Sequence, residues 1–260
     1  MTATAFPDWI YDGSTIPDPL GYGERAVQFL RRLRHPSSLA PNRAMQLAPW
    51  QERIVRRIYG PRHPDGRRIV QNVFFLVPRG NRKTSLAAAL ALLHTIGPER
   101  VPAGQVIFAA ADREQAGIGF KEAANVIRED KRLIAATRIY DAFNSAKQIV
   151  FNADKVTLRA ISSDGGAAHG LTPTFTLIDE IHICRGAETL AAEQFAYARA
   201  VALGQVDNPA YLPILFAAEP DDDWQDEKVW HKANPGLAHG FPSLEGLRAL
   251  AKEAEHRPAD

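Results

Sequence analysis

The chain has a single cysteine and no long apolar run, and each shortage excludes a class of protein. Cys184 is the only cysteine among 260 residues, so an internal disulfide is impossible and a reducing cytoplasm is expected. No stretch of about 18 uncharged apolar residues occurs, which excludes a membrane-spanning helix. The first residues carry no basic segment followed by an apolar core, so no secretory signal is predicted.

What is present is an ordinary globular composition with an uneven distribution of charge. Hydrophobic residues make up 45% and charged residues 23%, which at 260 residues suits one large α/β domain, alone or with a small appendage. The formal net charge is only +1, but residues 24–70 are basic and residues 219–227 are acidic. A face that contacts DNA and a solvated helix face both explain this asymmetry. The bases of the first segment are Arg25, Arg31, Arg32, Arg34, Arg43, Arg53, Arg56, Arg57, Arg62, Arg67 and Arg68.

Short apolar strands alternate with helices along the chain. Runs of β-branched and aromatic residues predict strands at 69–77, 105–111, 175–178 and 213–218, and a hairpin at 148–151 and 156–160. Apolar residues at helical spacing predict helices at 26–33, 49–59, 84–96, 113–128 and 188–202. This alternation predicts a mostly parallel sheet that is covered by helices on both faces.

One of the strand-to-helix junctions carries the residues of a phosphate-binding loop. Such a loop needs converging backbone N–H groups, a helix N-terminus behind them, a lysine for the terminal phosphates and a hydroxyl for magnesium. Lys83 and Thr84 occupy the last two positions of the pattern G-x-x-x-x-G-K-[ST], after a strand and at the start of a helix. The residues predicted to bind the nucleotide here are Pro78, Arg79, Gly80, Asn81, Arg82, Lys83, Thr84 and Ser85.

The pattern is incomplete at its glycine positions. Val77 and Arg82 stand where it has glycine, and only Gly80, inside the loop, supplies backbone freedom. Turns of this composition also occur without a ligand, so the loop alone does not establish a nucleotide site. The positive charges of Arg79 and Arg82 nevertheless suit a triphosphate.

The second half of the site is predicted directly after the strand 175–178. Asp179 and Glu180 follow that strand at the edge of the sheet where α/β proteins place ligand groups. Asp179 is predicted to hold Mg2+ together with Thr84, and Glu180 is predicted to activate the attacking water as general base. Combined with Lys83, these acids predict a site for ATP and Mg2+.

The order of the motifs resembles the ATPase domain of the large terminase subunit of tailed double-stranded DNA bacteriophages, from about Gly23 onwards. The resemblance rests on Leu47 to Gln51, the Pro-Arg-x-x-x-Lys-Thr loop, Ala110 to Ala116, Ala168 to Pro173 leading into Asp179-Glu180, Ala217 to Pro220, Trp224 to Glu227 and Trp230 to Pro235. It implies an α/β fold of the P-loop NTPase type (ASCE/RecA-like), with a mostly parallel sheet flanked by helices and the start of a small lid subdomain. The implied divisions are an N-terminal arm (1–22), an ATPase core (23–220) and the start of a lid or linker region (221–260).

The resemblance also implies a function and its partners. The family drives double-stranded DNA into a procapsid through the portal protein by hydrolysing ATP, together with a small terminase subunit. A homo-oligomeric ring in the host cell cytoplasm is implied, with no contact to a membrane.

Several further residue roles are implied by the resemblance alone. Gln51 resembles the glutamine that reads adenine, with Trp50 as a neighbouring wall, and Arg79 would sit beside the γ-phosphate. Glu219 and the two alanines before it fall where the family carries the motif that couples hydrolysis to movement. His169 stands near the position of an arginine that, in some relatives, reaches into the neighbouring subunit's site. Arg113 and Arg185 are alternatives for that role.

The family also carries a nuclease domain, in which clustered acids bind two metal ions. Asp221 to Asp223 form one adjacent cluster, which is not a two-metal site. Nuclease activity is therefore not expected of this chain.

Two other functions stay open on the sequence alone. Asp179-Glu180-Ile181-His182 fits a DExH box, which favours a helicase-like nucleic-acid motor, although such helicases need a second motor domain. The missing glycines favour a non-hydrolysing nucleotide-binding assembly module. The intact Lys83 and Thr84 oppose that second alternative.

Overall fold

The structure, a computed structural model, describes residues 4–110, 113–142, 147–162, 171–179 and 188–255. Its helices are α1 (Tyr22–Arg32), α2 (Pro49–Tyr59), α3 (Lys83–Thr95), α4 (Arg113–Arg128), α5 (Lys131–Ala136), α6 (Glu188–Ala202), α7 (Glu227–Ala233) and α8 (Leu244–Ala254). Its strands are β1 (Asn72–Leu76), β2 (Gln105–Ala110), β3 (Thr137–Tyr140), β4 (Gln148–Phe151), β5 (Thr157–Ser162), β6 (Phe175–Ile178) and β7 (Tyr211–Leu215). Within these ranges, the helices are too short or too polar to cross a bilayer.

The strands form two sheets. In the larger one the order is β3-β4-β5-β2-β6, and β2 lies parallel to both of its neighbours. The predicted hairpin is present as β4 and β5, which pair antiparallel, and β3 adds a further antiparallel strand at the edge. The smaller sheet is the parallel pair β1 and β7. Parallel pairing therefore dominates, and it leaves the carboxyl ends of β2 and β6 at one common edge.

Helix α3 lies at the centre of the core. It is rich in alanine and leucine on all sides, and nine of its residues, from Leu86 to Thr95, are buried. It contacts α1, α4, β2 and β6, which explains why it carries no polar face. Because this helix begins directly after the phosphate loop, the loop is anchored to the most buried element of the described chain.

Two boundaries differ from the sequence prediction, each for a local reason. Helix α1 begins at Tyr22 and not at residue 26, because the Asp18 carboxylate accepts hydrogen bonds from the N–H groups of Gly23 and Glu24 at 3.1 and 2.9 Å. Strand β1 is shorter than the predicted 69–77, because its partner β7 offers only five residues. Within β7, Pro213 pairs with Phe74 and lacks an N–H group, which suits a strand that is bonded on one side.

The N-terminal arm packs against the core. Phe6 meets Phe216 edge-on with ring centroids 5.7 Å apart, and the Arg53 guanidinium of α2 donates to the carbonyl oxygen of Ser14 at 2.9 Å. Ala5 and Ile10 are buried. The predicted divisions at residues 22 and 220 stay a prediction.

Most of the basic residues in the first segment have an acidic partner in the folded chain. The Glu52 carboxylate links α1 and α2, because it accepts from both Arg31 and Arg56, at 2.7 and 3.2 Å. At least seven of the eleven arginines lie within salt-bridge distance of a carboxylate: Arg25, Arg31, Arg43, Arg53, Arg56, Arg62 and Arg67. The structure thus favours a paired, solvated surface as the reason for this charge, and DNA contact by the segment stays a prediction.

Candidate nucleotide-binding site

The end of the phosphate loop and the end of β6 meet in space. The Lys83 Nζ lies 2.7 Å from the Asp179 Oδ1, and the two side chains are 34% and 33% exposed. The Asp179 N–H also donates to the Ala109 carbonyl oxygen of β2 at 2.9 Å, which fixes the residue just beyond the sheet. A cation and a carboxylate that lie 96 positions apart in the sequence are therefore held together at an accessible edge of the fold.

The loop between β1 and α3 adopts left-handed backbone angles at Gly80 and Arg82. Gly80 has φ 87°, a conformation that glycine adopts freely. Arg82, at one of the two glycine positions of the pattern, adopts φ 55° and ψ 32°, the left-handed conformation in which a glycine would be unstrained. The chain then enters α3 at Lys83, where the first N–H groups of the helix have no partner within it and are available to an anion.

The side chain of Asn81 has a structural role in the loop. Its amide is buried at 1% exposure, and its Nδ2 donates to the Pro78 carbonyl oxygen at 3.0 Å and to the Asn234 Oδ1 at 2.9 Å. Its Oδ1 accepts from the Gly236 N–H at 2.9 Å. The amide therefore holds the loop in shape, and only the main chain of Asn81 is left for the predicted phosphate contact.

The two arginine side chains of the loop lie in different environments. Arg79 is exposed, as a γ-phosphate contact requires. The Arg82 guanidinium lies over the Phe241 ring, 4.1 Å from its centroid. Its charge therefore faces the segment that follows α7, and the phosphate role predicted for Arg82 is not supported in this conformation.

Ser85 belongs to a small polar cluster beside the loop. Its Oγ donates to the Glu122 Oε1 of α4 at 2.6 Å, and the His35 Nε2 lies 2.7 Å from the same oxygen. Burial raises the pKa of the Glu122 carboxyl, but the hydrogen bonds from His35 and Ser85 outweigh it and hold that pKa below its ordinary value. The cluster ties the first turn of α3 to α4, so the Ser85 hydroxyl supports the loop and its nucleotide contact stays a prediction.

The two residues predicted for adenine are both buried. Gln51 is 2% exposed, and its Oε1 accepts from the Ala48 N–H at 3.0 Å, so it caps the start of α2. Trp50 is also 2% exposed and packs against Phe216 with ring centroids 5.6 Å apart. The cap bond engages the Gln51 Oε1, and the Trp50 indole lies in the core in this conformation. The adenine roles of both residues stay a prediction.

Several predicted residues lie outside the described part of the chain. They are Glu180, the proposed base, His169 and Arg185, two of the proposed trans-acting residues, and Cys184. The side chain of Arg113, at the start of α4, is likewise not described.

Glu219, at the predicted coupling position, contacts the helix that follows β6. Its carboxylate accepts from the Arg199 guanidinium of α6 at 2.6 Å. Its N–H donates to the Asp222 carboxylate at 2.8 Å, and that carboxylate also pairs with Lys232 of α7 at 3.2 Å. The coupling position is thus connected both to α6 and to α7.

Sequence reasoning missed Glu122, Asn234 and Gly236 as neighbours of the loop. Asn234 lies 153 positions from Asn81, so no local spacing signals their contact. The run Trp230 to Pro235 stood out as a motif, but nothing in its composition indicates which element it faces.

Comparisons with known proteins identify the family of the chain. A family model described as "Terminase large subunit, ATPase domain" matches residues 49–196, more than half of the chain and a range that contains both Lys83 and Asp179. The large terminase subunit of Enterobacteria phage HK97 is 30% identical over 224 residues, which are 84% of this chain and 42% of that protein. The crystal structure of the HK97 bacteriophage large terminase gives a TM-score of 0.75 at 24% identity, covering 91% of this chain and 52% of that one.

The chain spans about half the length of these relatives. The structural likeness confirms the predicted fold class, a P-loop NTPase fold with a mostly parallel sheet and flanking helices. The chain belongs to the family of terminase large subunits and carries their ATPase domain.

Proposed function

We propose that this chain hydrolyses ATP in the presence of Mg2+ and that the hydrolysis drives double-stranded DNA into a procapsid. The single observation that carries the proposal is the meeting of the Lys83 amine and the Asp179 carboxylate at 2.7 Å, at the mouth of the phosphate loop. The family membership supports nucleotide binding in general. The metal, the reaction and the DNA are inferred from the residues at the site and from the family.

The residues present fit ATP and Mg2+. When ATP binds, a phosphate would take the place of the Asp179 carboxylate beside the Lys83 amine, and that carboxylate would contact the metal ion in place of the amine. An ion pair at this degree of exposure is worth about 1 kcal/mol or less, so this exchange costs little. Thr84 and Asp179 would hold Mg2+, whose charge would offset the negative charge that develops on the phosphates.

Each residue of the site would then have a defined task. Lys83 and the first N–H groups of α3 bind the phosphates, and Thr84 and Asp179 hold the metal ion. Glu180, next to Asp179 in the chain, accepts a proton from the attacking water. Arg79, exposed on the loop, stabilises charge on the γ-phosphate.

The wider function involves partners beyond this chain. We infer translocation of DNA through a portal protein, with a small terminase subunit and a homo-oligomeric ring of this chain, in the cytoplasm of the host. A ring would complete each site with a residue from a neighbour, for which His169, Arg113 and Arg185 are candidates. Turnover per chain is then expected to rise with protein concentration, and turnover that is independent of concentration would contradict the ring.

The test compares two substitutions at the site with one outside it. Lys83→Ala is expected to abolish ATP binding, because the loop loses its only described amine beside Asp179. Glu180→Gln is expected to keep ATP binding and to lose hydrolysis, because the amide cannot accept the proton. Lys131→Ala, which removes the same charge from an exposed position on α5, serves as control. Parental ATP binding and hydrolysis in both site variants would refute the assignment.

The comparisons favour this function over the two alternatives that the sequence left open. A helicase-like motor is not the family that matches. The non-hydrolysing assembly module was favoured by the missing glycines, but Arg82 adopts the backbone conformation that a glycine would supply. DNA packaging into procapsids by the intact protein would test the wider function.

A further inference from the structure

Three consecutive residues of the phosphate loop contact one segment near the C-terminal end of the described chain. The loop residues are Gly80, Asn81 and Arg82, and the segment is 234–242, hereafter called the brace segment. It begins after α7 and ends just before α8. The loop therefore touches a second element besides the strand and the helix that it joins.

The central contact is a buried network of amide hydrogen bonds. Asn81 is 1% exposed and Asn234 is 7% exposed, and the Asn81 Nδ2 donates to the Asn234 Oδ1 at 2.9 Å. The Gly236 N–H returns a bond to the Asn81 Oδ1 at 2.9 Å. Asn234 is itself oriented, because its Nδ2 donates to the Trp230 carbonyl oxygen of α7 at 3.0 Å. Buried polar groups that are satisfied in this way specify one geometry, since breaking the network leaves unpaired groups in the interior.

The two neighbours of Asn81 in the loop, Gly80 and Arg82, also pack against the brace segment. A Cβ at Gly80 would lie 2.7 Å from the Pro242 Cβ, so the main chain of the loop approaches the proline ring as closely as glycine allows. On the other side, the Arg82 guanidinium stacks over the Phe241 ring at 4.1 Å. The loop is thus held on both sides of the amide network.

The brace segment is also tied to the loop that follows β7. Lys232, two residues before Asn234, pairs with Asp222 at 3.2 Å, and Asp222 accepts from the Glu219 N–H at 2.8 Å. Glu219 in turn pairs with Arg199 of α6 at 2.6 Å. A displacement of α6 would therefore reach α7 through three polar contacts, and Asn234 directly follows α7.

We propose that Asn234 is a positioning residue for nucleotide binding: through Asn81 it sets the shape of the phosphate loop, so that phosphate affinity depends on how the brace segment is seated. This inference rests on the proposed function, because it assigns the shape of the same loop. Residues 234–242 then contribute to nucleotide binding indirectly, through the shape of the loop. The brace segment acts on the loop through Gly80, Asn81 and Arg82.

The test measures the Kd of ATP with Mg2+ by calorimetry on the full chain. Asn234→Ala is expected to weaken the affinity about tenfold, since the loss leaves the Asn81 amide partly unpaired and the loop free to change shape. The double variant Asn81→Ala with Asn234→Ala is expected to bind no more weakly than Asn81→Ala alone. This non-additivity is the readout that a general loss of stability would not produce.

Matched variants separate positioning from folding and from the proposed function. Asp130→Ala removes a buried polar cap from α5 and is expected to lower the melting temperature without changing the Kd. Phe241→Leu keeps an apolar side chain but removes the ring under Arg82. This variant is expected to weaken ATP binding about two- to threefold. It replaces Asn234→Ala in the test if Asn234→Ala does not fold. If Lys83→Ala weakens binding while Asn234→Ala and Phe241→Leu keep the parental Kd, the role of the brace segment is refuted and the proposed function stands. If Lys83→Ala also keeps the parental Kd, the proposed function itself fails.

Discussion

His94 gives the fold a pH dependence whose size follows from its burial. The side chain is on α3, 3% exposed, with its Nε2 2.9 Å from the Tyr59 hydroxyl and its ring stacked on Phe175 at 3.8 Å. Burial is the main cause that lowers the pKa of His94 to about 3, and the nearby charges of Arg68 and Arg62 act in the same direction. The imidazole is therefore neutral in the folded chain at every pH at which the protein is ordinarily handled.

The sign and size of the effect follow from the two pKa values. An unfolded chain has a histidine pKa of about 6.5, so below that pH the unfolded state binds a proton that the folded state does not. The free energy of unfolding then falls by about 1.4 kcal/mol per pH unit, and by about 2 kcal/mol between pH 6.5 and pH 5. The loss continues until the folded state also binds the proton, near pH 3. Well above pH 6.5 the histidine is neutral in both states, and the group has no effect on the pH dependence.

The assay is urea unfolding of the parental chain and of His94→Gln between pH 5 and pH 7.5. The variant is expected to be less stable at pH 7.5, because it loses the aromatic stacking of a buried ring. The difference should narrow by about 2 kcal/mol towards pH 5, since glutamine takes up no proton. Parallel curves for the parental chain and His94→Gln would refute the reasoning.

Three further predictions concern the phosphate loop. Gly80→Ala should lower stability by about 1–2 kcal/mol in urea unfolding, because the residue has φ 87° and its new Cβ would meet Pro242; unchanged stability would contradict this. Arg82→Gly should stay within about 1 kcal/mol of the parental stability, because relief of the left-handed strain offsets the lost stacking, whereas Arg82→Ala keeps the strain and should be the less stable variant. The reverse order of these two variants would contradict the account. Thr84→Ala should bind ATP equally well with Mg2+ and with EDTA in calorimetric titrations, and a parental response to Mg2+ would show that Thr84 does not hold the metal ion.

The elements with strong local signals could be predicted from the sequence. The bounds of α2 and α4 match the predictions, because each has a clear helical period between definite ends. The β6 strand was also found, since a short apolar run led directly into two acids. The meeting of Lys83 with Asp179 was expected because each residue follows a predicted strand, and the two residues do lie together although β1 and β6 belong to different sheets.

What the sequence did not reveal depends on contacts between distant residues. Helices α7 and α8 were not predicted, nor was the bond between the Asn81 amide and Asn234. Trp50 was placed at the nucleotide on the strength of the resemblance, whereas its indole fills the core beside Phe216. The spacing of residues along the chain does not indicate which distant residues pack together. It also does not show whether an asparagine side chain is buried or exposed.

The most direct test of the central claim is a crystal structure of the chain with a non-hydrolysable ATP analogue and Mg2+. The terminal phosphate is expected within about 3 Å of the Lys83 Nζ, which then no longer pairs with Asp179. The metal ion is expected beside Thr84 and Asp179, at about 2.1 Å or through a water. A nucleotide bound elsewhere, or an intact pair between Lys83 and Asp179 with the analogue in place, would contradict the account.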